Sequence, residues 1–314
     1  MSSLTATRAA GRRGDRLFRG LSTGGALLTF VLIVAIGGFL VIEAVPALRD
    51  NTANFLTSSE WSPDGQPVAF GIAALAFGTV VSSVLALVIA VPVAVGAALF
   101  IAFYAPRRVA APFAYMIDLL AAVPSVVFGL WGLYALMPPM VRVSGWLDAA
   151  LGWIPLFHSV TGAYGRSMFV AGVILAIMIL PIISAISREV LIQVPVSQRE
   201  ASLALGATRW QMLRTAALPF ARSGIVSAAM LGLGRALGET IAVALVLSAS
   251  YRVSWHILEP GGNTFAANIA LKFGESGSIG RGALIASGLV LFAITLVVNL
   301  AARYVVVRRN LVQT

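Results

Sequence analysis

Across 314 residues, 59% are hydrophobic, 11% are charged and the net charge is +10. Soluble domains carry about 25% charged residues, so this chain cannot cover a surface against water, and lipid is its main solvent. Nucleic acid is excluded as a partner because the arginines cluster at the ends of apolar runs, with Lys272 the one lysine among 22 basic residues, and the absence of cysteine removes disulfide and thiolate chemistry.

The first element is a basic tail, 1–23, carrying Arg8, Arg12, Arg13, Arg16 and Arg19 ahead of the apolar run Gly24–Pro46. A secretory signal would have an apolar core of about 7–15 residues and a small-x-small cleavage site. This run is longer and lacks such a site, so it reads as a retained first span. Further apolar runs follow at Val68–Tyr104, Val109–Met137, Ser167–Ser187, Ser223–Ser248 and Ala283–Val307. Each reaches the roughly 20 residues that cross about 30 Å of hydrocarbon. The second, at 37 residues, is too short for two spans and reads as one long helix bent near Pro92. The expected fold class is therefore all-α, a polytopic membrane protein of six transmembrane helices. It forms one domain over 24–307, with a cytoplasmic loop at 188–222 and a short tail at 308–314.

Six spans put both termini on one side. Fifteen basic residues fall on that side: the five of the tail, Arg107, Arg108, Arg188, Arg199, Arg209, Arg214, Arg222, Arg303, Arg308 and Arg309. The other side has six: Arg49, Arg142, Arg166, Arg252, Lys272 and Arg281. The richer side is the cytoplasm, which places the chain in the cytoplasmic membrane with both ends inside. Trp61, Trp146, Trp153 and Trp255 then fall at or beyond the outer surface, where indoles prefer the headgroups. Val143–Phe157 reads as an outer interfacial helix, and the outer loops 47–67 and 249–282 as irregular. His158 and His256 lie far apart in sequence without ligand spacing, so no metal site is expected.

The loop Arg188–Pro219 is built like structure. Ser197-Gln-Arg-Glu200 and Thr208-Arg-Trp-Gln211 are two capping boxes, Gly206 is a helix stop, and Pro219 is expected to close the second helix. Two short helices at an angle suit a helix-turn-helix DNA reader, a plain structured loop or a docking element. The spans hugging both ends argue against the first. The stretch EASLALGATRWQMLRTAALP resembles the EAA loop of ABC-importer permeases. Glu200, Ala201, Gly206, Leu218 and Pro219 match in order, and Ser202 stands where the second alanine is usual. The resemblance implies a type I ABC-importer permease fold and a loop that seats in an ATP-binding subunit. No G-x-x-x-x-G-K-[ST] loop exists in the chain, so it is expected to be a transporter subunit and not an enzyme. It would carry no cofactor itself, ATP and magnesium being bound by the partner ATPase.

Span five contains Gly232-Leu-Gly-Arg235-Ala-Leu-Gly-Glu239-Thr-Ile-Ala-Val243. Arg235 lies 13 residues past Arg222, about 20 Å deep at 1.5 Å per residue. Such an arginine costs at least about 2.5–3.5 kcal/mol, and Glu239, one helical turn on, is expected to neutralise it. Two readings stay open: a structural ion pair, with Gly234 and Gly238 as a packing step, or a substrate pathway in which the planar guanidinium grips a tetrahedral oxyanion. GRALGETIAV is similar to the membrane subunits of the phosphate-specific Pst importer, PstC-type, as is AAVPSVVFGLWG at 121–132. That resemblance implies Arg235 and Glu239 as transport-critical charges. It also implies a related permease as heterodimer partner, two ATP-binding subunits and an extracytoplasmic phosphate-binding protein. Ser125 and Asp118 join the pathway candidates. Ser125 offers a hydroxyl or merely aids packing, and Asp118 pairs with an arginine of the partner subunit or bonds locally. Rival functions are another oxyanion, sulfate or molybdate, and an ion-coupled secondary transporter.

Overall fold

The computed structural model describes residues 3–310, less the side chains of 3–14, 16, 107, 302, 303 and 305–310. The side chains of Arg8, Arg12, Arg13, Arg16, Arg107, Arg303, Arg308 and Arg309, used in the orientation count, and most of the 308–314 tail lie outside the described residues. Helix α1 runs unbroken over Ser3–Asp50, so the backbone makes no boundary at 23–24. A two-stranded hairpin follows, Trp61–Ser62 (β1) with Ala69–Phe70 (β2). Then come α2 (Ala73–Leu99), α3 (Arg107–Ala121), α4 (Ser125–Trp131), α5 (Met137–Leu151), α6 (Met168–Ile192), α7 (Val196–Ala204), α8 (Arg209–Met212), α9 (Leu218–Leu237), α10 (Ile241–Val246), α11 (Phe265–Lys272) and α12 (Ser278–Asn310). Among the described residues six stretches are long and apolar enough to cross a membrane: 17–50, 73–104, 125–151, 168–192, 209–237 and 278–301.

Two expected spans are displaced. Pro124 has no N–H and holds Val123 out of the helical region, so α3 ends at Ala121 and a new helix starts at Ser125. The third membrane stretch is therefore 125–151 and not Val109–Met137. It absorbs the first half of the expected interfacial helix Val143–Phe157, whose Val143–Leu151 forms the last turns of α5. The fifth stretch starts earlier than Ser223, because Pro219 does not stop the helix. Leu213–Ala217 widens into a π-turn in which the Leu218 N–H reaches back to the Leu213 carbonyl, and α9 continues with Pro219 in its first turn. The extra residue relieves the clash between a proline ring and the carbonyl four residues back. The same device precedes Pro138, at Gly132–Leu136, whereas the π-turn at Phe100–Tyr104 ends its helix before Pro106.

The core is the pair α2 and α6. Ala86, Ala90, Ala94 and Ala98 are all fully buried and recur every four residues, one small-residue seam that lets α6 approach closely. On the other side of α6, Gly224 and Gly232 of α9 abut Val190 and Ile183. Replacing Ala90 with leucine should overpack this seam by about 1–3 kcal/mol. A thermal melt of the purified transporter should fall relative to Val88→Leu, at a site on the same helix that is 64% exposed.

The end of the bundle holding the hairpin is more ordered than the composition of its loops suggests. Asn51 donates to the Phe70 carbonyl at 2.8 Å and accepts the Phe70 N–H at 3.0 Å, acting as a third strand. Asp64 accepts the N–H groups of Gly277 and Gly280 at 3.0 and 2.9 Å, capping α12. Trp61 stacks on Tyr251 at 5.8 Å, and Tyr251 donates to Asn268 at 2.6 Å. Burial pushes the Tyr251 phenol up to about 12. Segments 47–67 and 249–282, expected as irregular loops, thus form one tied cap.

Candidate functional site

The chemistry-bearing residues gather at two helix breaks and at the turn between α6 and α9. The breaks are Ala122–Pro124, between α3 and α4, and Gly238–Thr240, between α9 and α10. They stand side by side. A Cβ at Gly129 of α4 would lie 2.9 Å from the Ala242 Cα and 2.8 Å from the Leu245 side chain, while Gly132 faces Val246 and Ile174. This parallel register sets Ser125, four residues before Gly129, level with Gly238–Thr240. Gly232 faces Ile179 and Ile183, so Arg235, one turn on, is level with the middle of α6.

Arg235 occupies the last turn of α9, where the helix dipole favours a cation. It is exposed, on one stripe with Ser227, Leu231 and Gly238, and no ion pair within 4 Å joins it to another described residue. The expected pairing with Glu239 does not form. Gly238 ends α9, so Glu239 is no longer one helical turn along the same face. Its carboxylate turns instead to the start of α10, accepting the Ala242 N–H at 3.3 Å, and it is only 8% exposed. At the far end of α10 the Arg166 guanidinium donates to the Leu245 carbonyl. Acid at its start and base at its end complement the exposed backbone groups of this short helix. Arg166, an orientation residue by sequence, is a capping residue in the fold, and only the three-dimensional return of 166 to 245 could reveal it.

Gly234 and Gly238 do not pack helices among the described residues. A Cβ at Gly234 meets nothing within 4 Å, and one at Gly238 meets only the Gly234 carbonyl at 3.6 Å. The step faces open space beside Arg235, and Gly224 and Gly232 do the packing. Ser125, at the first turn of α4, is half-buried. Asp118 is not brought to this group. It lies on α3, 3.6 Å from Arg188 in the last turns of α6, a pairing between helices of this chain. Replacing Gly129 with valine should wedge α4 from α10 and misalign the breaks. We expect transport to fall at least about tenfold while the transporter still assembles, as size-exclusion of the purified complex would check.

The turn at 193–208 forms an elbow. Its first expected capping box, Ser197 with Glu200, is absent, because Pro195 already fixes the start of α7 at Val196. The second is present: Thr208 accepts the Gln211 N–H at 3.2 Å and donates its own N–H to the Gln211 side chain at 2.7 Å. Gly206 takes φ +82° and closes a Schellman motif, with Ala207 N–H to Ser202 at 3.2 Å and Gly206 N–H to Leu203 at 3.0 Å. Glu200 and Ala201 are exposed, Ser202 and Leu218 half-buried, and Pro219 exposed. Leu205 at 89%, Trp210 at 60% and Leu203 at 44% exposure give the elbow an apolar tip. Its inner side is fixed: Val194, Met212, Leu213 and Ala217 pack on Leu99 and Phe103, and the Arg199 guanidinium lies 5.9 Å over the Phe103 ring. From Arg209 to Leu237 the helical path is continuous, so the elbow and Arg235 share one rod, with Arg235 about 39 Å along it from Arg209. His158 and His256, far apart in sequence, meet at the opposite end of the bundle with ring centroids 6.1 Å apart.

Comparison with known proteins agrees with this geometry. The family described as binding-protein-dependent transport system inner membrane component matches residues 90–310, which include both breaks and the elbow. The phosphate transport system permease proteins PstC 2 of Mycobacterium tuberculosis and Mycobacterium bovis are each 49% identical over 298 residues, 93% of this chain and 91% of theirs. The PstC permease of Xylella fastidiosa (strain Temecula1) is 37% identical over 299 residues, 94% of this chain and 91% of its own. A bacterial ABC transporter involved in the import of the acidic polysaccharide alginate superposes with a TM-score of 0.52 at 17% identity, over 76% of this chain and 79% of that chain, a likeness of fold. The chain belongs to the binding-protein-dependent transport system inner membrane components, in their PstC group: it is a multi-pass permease subunit of an ABC importer.

Proposed function

We propose that this permease carries inorganic phosphate inward past Arg235. The observation that carries the reading is the exposed guanidinium at mid-depth, without an ion pair among the described residues and set beside two helix breaks. A cation at that membrane depth needs water or an anion. Two parallel N–H bonds from a planar guanidinium match two phosphate oxygens, and Ser125, at the same level, supplies a hydroxyl. Glu239 acts by holding α10 in place, and its negative charge near the site keeps an anion from binding too tightly to leave. Asp118, through Arg188, fixes α3 to the elbow end of α6.

In this reading the elbow end is cytoplasmic, with both termini there, and the hairpin end faces outward toward a phosphate-binding protein. The partner permease is a related chain forming a heterodimer, with Arg235 near the pathway between them. Two ATP-binding subunits hold ATP and magnesium, one of them seating the apolar tip of this elbow. Their closure pushes α8, and the continuous rod to Leu237 carries that push to Arg235. Uptake by the reconstituted transporter tests the cargo: labelled phosphate should enter and a hundredfold excess of sulfate or molybdate should leave the rate unchanged. Inhibition by sulfate equal to that by unlabelled phosphate would transfer the site to oxyanions in general. Uptake by this chain without an ATPase would favour an ion-coupled carrier.

A further inference from the structure

At the hairpin end α1 and α12 cross so closely that a Cβ at Gly282 would stand 2.8 Å from the Ala47 Cβ and 3.3 Å from the Glu43 carbonyl oxygen. Beside this crossing opens a groove of about 510 Å³ with mostly apolar walls, Phe39, Pro46, Phe273 and Ile285 among them, and with two charges in its lining, Glu43 and Arg281. Both charged residues are exposed. No ion pair within 4 Å joins either of them to another described residue. Arg281 is held elsewhere, donating from Nε to the Ser276 carbonyl at 3.1 Å and lying 5.8 Å over the Phe273 ring. Of the charges on the adjoining segments, Lys272 pairs with Glu275 at 3.2 Å, and Asp64 caps α12.

The depth of the groove identifies what meets it. After Arg281 the next ionisable residue of α12 is Arg303, 22 residues or about 33 Å along the helix, close to a full hydrocarbon thickness. Arg281 and Glu43 therefore stand at the headgroup level, with Phe39 and Ile285 below them in the acyl region. A guanidinium and a carboxylate set apart on one apolar groove complement a headgroup carrying both a phosphate and an ammonium.

We propose that this groove holds a phospholipid with a primary-amine headgroup, its phosphate on Arg281, its ammonium on Glu43 and an acyl chain along Phe39 and Ile285. Helix α1 has none of its apolar membrane window buried within the chain, and the lipid would supply a second wall for it beside α12. The proposal rests on the chain's spanning a membrane and is independent of the cargo and of the direction of transport. Native mass spectrometry of the assembled transporter tests it, with phosphatidylethanolamine, phosphatidylcholine and phosphatidylglycerol of matched chains added after delipidation. Phosphatidylethanolamine should be retained about fivefold over phosphatidylglycerol, and over phosphatidylcholine, whose quaternary nitrogen has no N–H to donate. Glu43→Gln should erase that preference, Glu43→Asp should keep it, and Arg281→Gln should weaken retention of all three lipids. Equal retention of the three by the wild-type complex would overturn the proposal. So would a preference that survives the Glu43→Gln, Arg281→Gln double variant, or a photo-crosslink from Ile285 that captures the partner permease in place of lipid.

Discussion

Replacing Arg235 with glutamine is expected to abolish phosphate uptake while leaving membrane insertion and assembly intact. Insertion should be easier, since the variant no longer carries the cost of about 2.5–3.5 kcal/mol for an arginine at mid-depth. No described residue loses an ion-pair partner, because Arg235 makes none among them. Transport is different. Hydrogen bonds to a charged group contribute about 1.5–3 kcal/mol each, so losing a bidentate pair to phosphate should lower the rate by about two to four orders of magnitude. Arg235→Lys keeps the charge and loses the planar fork, and should fall between the two. Undiminished uptake by the glutamine variant would make Arg235 a structural residue.

Replacing Gly206 with valine should uncouple the transporter. The residue sits at φ +82°, where a side chain costs about 1–2 kcal/mol and a β-branched one more. The Schellman closure would open and the tip bearing Leu203, Leu205 and Trp210 would swing from its place. We expect the ATP-binding subunit to be lost on purification, or to hydrolyse ATP without uptake, with transport reduced at least about tenfold. Gly206→Asn should recover most of the activity, because asparagine tolerates this conformation, whereas a role for glycine merely as a small residue would make alanine the better rescue. Thr208→Ala removes one cap, worth about 1 kcal/mol, and should act in the same direction more weakly.

These two sites differ in how far they can be read from residues alone. The spans now covered by α1, α2, α6 and α12 are legible because long apolar runs leave lipid as their only solvent. The glycine stop at 206 and the Thr208 capping box are local, and local rules find them. Span three lies later than hydropathy places it because Pro124 divides an apolar run that hydropathy sees as continuous, which leaves Asp118 on the separate helix α3. The Arg235–Glu239 pairing assumed a helix that continues, and Gly238 ends it. Proline at 219 is a stop by rule, but a π-turn keeps the helix going, and that difference creates the rod from elbow to Arg235. Interactions across long sequence gaps, Arg166 to Leu245 and His158 to His256, carry no periodic signal and emerge only from the fold.

Transport past Arg235 requires that the stripe holding it line a pathway that opens to each side in turn. The chain has no cysteine, and the space around Gly234 is open, so Gly234→Cys in a transporter with cysteine-free partners gives a clean probe. Labelled with a membrane-impermeant thiol reagent, it should react from one side without nucleotide and from the opposite side when ATP is trapped with vanadate. A thiol that reacts from neither side in either state, or from the same side in both, would contradict it.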